Sequence, residues 1–340
     1  MSKLASKLCA VLALGQLVSC SLSILPANAQ EHAAKPHIDL AFCIDTTGSM
    51  QGEIDNVKAK TKEIVAKLAG GKPSPVIRVG LVAYRDRGDE YVTKIFPFTE
   101  DIDKVVKDIS SLKADGGGDT PESLNEGLHV AVNDLKWDES KKTVKLLFVI
   151  GDAGPHAYPK DYDWKTESKK AIGQGIQINT VGCQGLESAA EAEGVGVFKE
   201  IARLADGKYE PLAYRQEVVS SDGHRETVIS SGGAVYKLKS KSADWKAGAD
   251  ALTASGGAVR MEATTAMPAS FASARMMGKG RMVHAAAAPM GAPMAMEAGA
   301  AGAAYGGMAT DRKDNNLADL VLQATKEAAS KKLNVEFKAK

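Results

Sequence analysis

Three short stretches hold the residues whose types and spacing could do chemistry. They are Asp45-Thr46-Thr47-Gly48-Ser49, the loop Asp115-Gly116-Gly117-Gly118-Asp119-Thr120-Pro121-Glu122, and Gly151-Asp152. In the first, an acid and three hydroxyls stand at a tight turn behind the apolar run Leu40–Ile44. Every side chain there that can bind something offers a hard oxygen, with no imidazole and no thiol. Such donors suit Mg2+, Mn2+ or Ca2+ rather than zinc or copper. Asp152 follows a second, mostly apolar stretch, Val144–Ile150, so two acids each end a strand. Carboxylates facing each other at short range repel, and a divalent ion between them removes that cost. The neutral oxygens of Thr47 and Ser49 would leave the ion with net positive charge.

The elements that must position these residues are legible from periodicity. Leu40–Ile44 has the unbroken apolar pattern of a strand buried on both faces. Ile54, Val57, Thr61, Ile64, Val65 and Leu68 fall on one helical face. Val76–Tyr84 reads as a second strand and Tyr91–Phe98 as a third, with Pro97 marking an edge. Thr99 is expected to cap a helix carrying Ile102, Val105, Val106, Ile109 and Leu112. Thr120-Pro121 is expected to open the next, with proline in the first helical position. Val144–Ile150 and Ile176–Cys183 are further strands, a helix around Thr166–Ile172 lies between them, and Lys208–Leu212 is a last short strand after a helix through Phe198 and Ile201. This alternation implies an α/β fold, a doubly wound, mostly parallel, Rossmann-like sheet with helices on both faces. In such sheets ligands sit beyond the carboxyl ends of the strands, where strand order reverses. If the strands ending in Asp45 and Asp152 flank that point, both carboxylates meet in one crevice.

Residues 1–29 read as a secretory signal: Lys3 and Lys7, the apolar Leu8–Leu14, then Pro26-Ala27-Asn28-Ala29. Its polar residues leave too short an apolar run to span a bilayer. Leu17-Val18-Ser19-Cys20 offers a second reading, a lipoprotein box that would leave Cys20 lipidated. The chain is therefore expected to be exported, to periplasm or medium, or held to the envelope by a lipid anchor. Removing the two lysines takes the formal charge from +1 to −1, and near-neutrality with few aromatics argues against a nucleic-acid partner. Cys43 and Cys183 are assigned to strands that are not neighbours, too far apart for a disulfide. The main domain is expected over 37–214, a small hairpin-like β-rich extension over 215–253, and an Ala/Gly/Met-rich flexible linker over 254–313. The final segment, 314–340, carries a helix with Leu317, Leu320, Val321, Ala324, Ala328 and Leu333 as its apolar stripe.

The span from Ile38 to Leu212 resembles a von Willebrand factor type A domain with a metal-ion-dependent adhesion site. Asp45, Thr47 and Ser49 match that site's Asp-x-Ser/Thr-x-Ser motif, and Asp152 matches its aspartate after the fourth strand. AYRDRGDEYVTKIFPFTEDID, GGGDTPES and GDAGPH are most like the branch found beside alpha-kinases. The resemblance implies a Mg2+ (or Mn2+/Ca2+) held by Asp45, Thr47, Ser49, Thr120 and Asp152, and a protein partner whose carboxylate replaces a water on the ion. For the glycine-rich loop three ligands stay open: Thr120, as in many members; Glu122, as in integrin beta subunits; and Asp119, directly or through water. Thr120 also reads as a helix cap and Glu122 as a residue favoured by the helix dipole. Asp86 is read as a candidate metal ligand or, with Arg85, as support behind the site or a surface ion pair.

The implied function is a cation-dependent adhesion or scaffold module of the cell envelope, not an enzyme. The alternative is a Mg2+-dependent phosphoaspartyl hydrolase or phosphotransferase using Asp45 as nucleophile, since DTTGS also resembles the phosphorylated motif of P-type ATPases. Export from the nucleotide-rich cytoplasm and the lack of a recognisable nucleotide site weigh against it. Arg87-Gly88-Asp89 spells an integrin-recognition tripeptide, which chance explains better. The methionines from Met261 to Met308 are spaced as linker, not as a copper site.

Overall fold

The computed structural model describes residues 35–118, 121–187, 192–220, 224–240, 243–261, 305–306 and 314–337. The expected signal, Asp119, Thr120 and most of the Ala/Gly/Met-rich stretch lie outside the described residues.

β1 (His37–Asp45) is buried from Ile38 onward, as an uninterrupted apolar run requires. Its side chains alternate: Ile38, Leu40, Phe42 and Ile44 enter one core, Ala41 and Cys43 the other. It pairs in parallel with β2 (Val76–Tyr84) on one side and β4 (Val144–Gly151) on the other. With β3 (Thr93–Thr99), β5 (Ile176–Gly182) and β6 (Tyr209–Pro211) these form a six-stranded sheet of order β3-β2-β1-β4-β5-β6. All pairs are parallel except β2 with the edge strand β3. α1 (Gln51–Ala69) and α2 (Ile102–Ser110) cover one face; α3 (Leu124–Asn133), α4 (Trp164–Gly173) and α5 (Ala192–Leu204) cover the other. The chain leaves β1 towards β2 and returns to β4 on β1's opposite side. The doubly wound α/β sheet is thus present, with its switch point between β1 and β4.

Two helix starts differ from expectation. The cap of α2 is Asp101, whose carboxylate accepts the Lys104 N–H at 3.0 Å, while Thr99 only accepts the Asp101 N–H. α3 begins at Leu124 rather than around Pro121. The Glu122 N–H donates to the Gly154 carbonyl and Glu122 bridges Pro155 in parallel fashion, so this segment is held extended against the loop after β4.

Beyond β6 the chain forms a second, antiparallel sheet of order β10-β9-β8-β7-β11. Its strands are β7 (Tyr214–Ser220), β8 (Arg225–Ser231), β9 (Ala234–Leu238), β10 (Ala258–Arg260) and β11 (Tyr305–Gly306). The hairpins expected over 215–253 are its middle, and its two edge strands come from the stretch assigned to the linker. A core of Ile229, Leu238, Trp245, Ala249, Leu252 and Ala258 joins it to α6 (Ala249–Ala254).

The terminal helix is present as α7 (Leu317–Leu333), packed against α1 and β4. Leu317, Val321, Leu322, Ala329 and the following Val335 join the same core as Phe42 and Ile54. Lys72 and Glu336 exchange backbone hydrogen bonds of 2.8 and 2.9 Å. A Cβ on Gly71 would meet Val335 Cγ1 at 2.5 Å, so only glycine admits the tail there. Cys43 and Cys183 are buried free thiols on segments separated by β4. Among the described residues no helix is long and apolar enough to cross a membrane.

Candidate metal centre

Ile44 is the last apolar residue of β1, and Asp45 beside it is fully buried at the strand's carboxyl end. Thr46 then pegs the chain to β2: its N–H and hydroxyl both reach the Tyr84 carbonyl at 2.9 Å, and its hydroxyl meets the Tyr91 hydroxyl at 2.8 Å. The next residue folds back. The Thr47 N–H and hydroxyl donate to Asp45 Oδ1 at 2.8 and 2.7 Å, a local turn that aspartate side chains favour. Gly48–Met50 is a short 3-10 turn anchored by buried Met50, which leaves Ser49 exposed at the mouth.

The other two loops are stitched to this turn through backbone. Thr46 O accepts the Asp115 N–H at 3.1 Å, and Gly116 O accepts the Gly48 N–H at 3.3 Å. Gly116 and Gly117 both have positive φ, 78° and 70°. A Cβ on Gly117 would lie 2.8 Å from Thr47 Cβ and 2.9 Å from Glu122 Oε1, so two candidate donors are close enough that only glycine fits between them. The third loop joins the second through the Glu122 bridge and through the His156 N–H, which donates to Glu122 O at 2.7 Å. Asp152 follows β4 and is half-buried, so the site opens on the side of Ser49 and Asp152.

Charge shows how near these groups lie. Burial pushes the Asp45 carboxyl up to about 8, the Asp152 charge adds to it, and the Thr47 hydrogen bonds only partly oppose it. Glu122 is 2% exposed; burial, then the charges of Asp45, Asp86, Asp152 and Asp89, push it up to about 10. Asp45 Oδ2 and Glu122 Oε2 are buried with no hydrogen-bond partner among the described residues. Uncompensated buried carboxylate oxygens of this kind are costly. No group of three or more His, Cys, Asp and Glu among the described residues is placed to hold a metal. A cation here would have to be held by Asp45 and Asp152 with hydroxyl oxygens, a set that suits a hard ion. The orphaned Asp45 oxygen beside a second carboxylate fits that requirement.

Both carboxylate oxygens of Asp86 are hydrogen-bonded. Its Oδ1 accepts the Ser123 hydroxyl at 2.8 Å and its Oδ2 the Tyr158 hydroxyl at 2.6 Å. It ties the start of α3 to the loop after β4. Arg85 is buried as well, donating to the carbonyls of Thr46 (3.3 Å) and Lys113 (2.8 Å) and lying over the Tyr91 ring. Asp89 accepts the N–H groups of Gly117 and Asp86, each at 3.1 Å. The segment 85–89 is thus a brace for all three loops, and the carboxylate of its RGD tripeptide is engaged internally. No spacing signal marks the part Asp89 plays in this brace. Thr120 and Asp119 lie outside the described residues.

A family model described as von Willebrand factor A domain matches residues 39–210. Mouse von Willebrand factor A domain-containing protein 7 is 35% identical over 120 residues, covering 35% of this chain and 12% of that protein. Alpha-protein kinase vwkA of Dictyostelium discoideum is 27% identical over 120 residues, covering 35% of this chain and 19% of that protein. The chain thus spans less than a fifth of the length of either relative. Among solved structures, proximal thread matrix protein 1 from the mussel byssus, described with a zinc occupied MIDAS motif, has a TM-score of 0.35 and 17% identity. That likeness covers 44% of this chain and 36% of the mussel protein's.

Proposed function

Because the chain belongs to the von Willebrand factor A domain family, we propose that its Asp45–Asp152 crevice is a divalent-cation-dependent protein-binding site. The observation that carries this reading is Asp45 itself: fully buried, one oxygen bonded to Thr47, the other unpartnered, with the Asp152 charge beside it. Asp45 and Asp152 would hold the ion, with Thr47 and Ser49 supplying hydroxyl oxygens and Thr120 or Glu122 completing the set from the glycine-rich loop. Mg2+ is the proposed ion, with Mn2+ or Ca2+ as substitutes, because all these donors are hard oxygens. When bound, the ion supplies an electrophilic position that a partner's carboxylate can fill.

The chain's own residues do the rest. Thr47 orients Asp45 through two hydrogen bonds. Gly117 lets the second loop approach the first, and Gly116 lets it approach Asp89. Exposed Ser49 and half-buried Asp152 leave the mouth open to a macromolecule. The reading is of a binding module and not an enzyme, exported and acting as an adhesion or scaffold element of the cell envelope. A pull-down from envelope proteins tests it. A partner captured in Mg2+ and lost both on chelation and in Asp45→Ala supports the reading. Undiminished cation and partner binding by Asp45→Ala overturns it.

A further inference from the structure

Tyr214 stands four residues past the end of the family match and opens the second sheet. Its side chain nevertheless reaches back to the candidate metal centre and is 4% exposed. The Tyr214 hydroxyl donates to Glu53 Oε1 at 2.5 Å and accepts the Gln184 N–H at 3.1 Å. Glu53 lies in the first turn of α1, four residues after Ser49, and its charge is felt at Asp45. Gln184 follows β5, and its neighbour Gly185 lies against Asp152: a Cβ there would sit 3.4 Å from Asp152 Cβ. One hydroxyl therefore joins the segment carrying Ser49 to the segment packed on Asp152. A hydroxyl donating to a buried carboxylate is among the stronger neutral-to-charged contacts.

Tyr214 is itself fixed from the far side. The Ala213 N–H donates to Asn316 Oδ1 at 2.9 Å, Ala213 O accepts the Asn316 N–H at 3.2 Å, and Tyr214 bridges Asn315. The hydroxyl's position is thus set by the second sheet and by the residues leading into α7.

We propose that Tyr214 is a positioning residue for the cation site. By linking Glu53 to the Gln184 amide, it holds the two sides of the crevice at a fixed separation and makes the second sheet part of the site's support. The proposal rests on the cation-site reading above. Groups that orient metal ligands from behind typically change affinity by about 10–100-fold when removed.

The test is Mg2+ titration by calorimetry of the full chain and of Tyr214→Phe, with melting of both in chelator. Tyr214→Phe is expected to weaken Mg2+ binding by on the order of tenfold. A purely structural tyrosine would lower the chelated melting temperature and leave the Mg2+ affinity of the folded protein unchanged, which overturns the proposal. If the wild type binds no Mg2+, the cation-site reading fails first and is distinguished by that control. Should Tyr214→Phe not fold, amide shifts of the wild type decide. Mg2+ is expected to move the Gln184 and Arg215 resonances along with Ser49. A response at Ser49 that leaves Gln184 and Arg215 unmoved overturns the proposal.

Discussion

Asp45 is folded into surroundings that favour its neutral form. Burial and the Asp152 charge hold its carboxyl up at about 8, whereas an unfolded aspartate ionises near pH 4. Between about pH 4 and pH 8 the cation-free folded chain therefore binds more protons at this residue than the unfolded chain does. Its contribution to stability is full at low pH and falls as pH rises through that window. Melting in chelator should show this decline, and Asp45→Asn should remove it while raising stability at pH 8. A divalent ion must displace the same proton. Mg2+ affinity should accordingly rise with pH and level off above about 8, with proton release measurable by calorimetry in buffers of different ionisation enthalpy. An affinity flat from pH 6 to 8 would remove Asp45 from the ligand set.

At the scale of elements, three loops are spaced by contacts that are mostly backbone, and by the segment after β2 that braces them. Gly117 is the tightest point. Gly117→Ala would push on Thr47 Cβ and Glu122 Oε1 from a backbone with φ of 70°. The cost expected is about 1–3 kcal/mol, accompanied by loss of Mg2+ affinity; Gly118→Ala, whose Cβ would meet nothing within 4 Å, is the control. Asp86→Ala would leave the buried Ser123 hydroxyl and the Tyr158 hydroxyl without their acceptor. A loss of about 1–3 kcal/mol in chemical denaturation is expected. Because Asp89 is engaged by two N–H groups, the RGD tripeptide should not support adhesion of integrin-bearing cells.

For the molecule as a whole, α7 closes the face of the sheet that α1 begins to cover. Leu317, Val321 and Leu322 are buried there, and each such side chain is worth about 1.5–3 kcal/mol. Their sum is comparable with the whole stability of an ordinary domain. A chain ending at residue 313 should consequently lose its cooperative melt and bind a hydrophobic dye, even though the six strands remain encoded. A retained sharp melt would show that α7 is dispensable. The second sheet enters the same structure at Tyr214 and Asn316, so its removal is expected to reach the candidate metal centre as well.

The sequence by itself determined the sheet and the two acids at its switch point. Apolar runs such as Leu40–Ile44 and Leu146–Ile150 admit little but strands buried on both faces, and their order fixes where strand direction of travel reverses. It also marked Asp45, Thr47 and Ser49, because three oxygen side chains at alternate positions of one turn form a local pattern. Tertiary structure decided what local pattern cannot carry. Asp86 became a strut because Ser123 and Tyr158, 37 and 72 residues away, fold onto its two oxygens. Glu122 stayed extended because Gly154 takes its N–H, overriding the proline signal for a helix start. Strands in the Ala/Gly/Met-rich stretch form because a sheet edge offers them backbone partners, and the side-chain composition does not announce this. Tyr214 reaches Glu53 across 161 residues; periodicity describes faces of single elements and is silent on which distant hydroxyl meets which carboxylate.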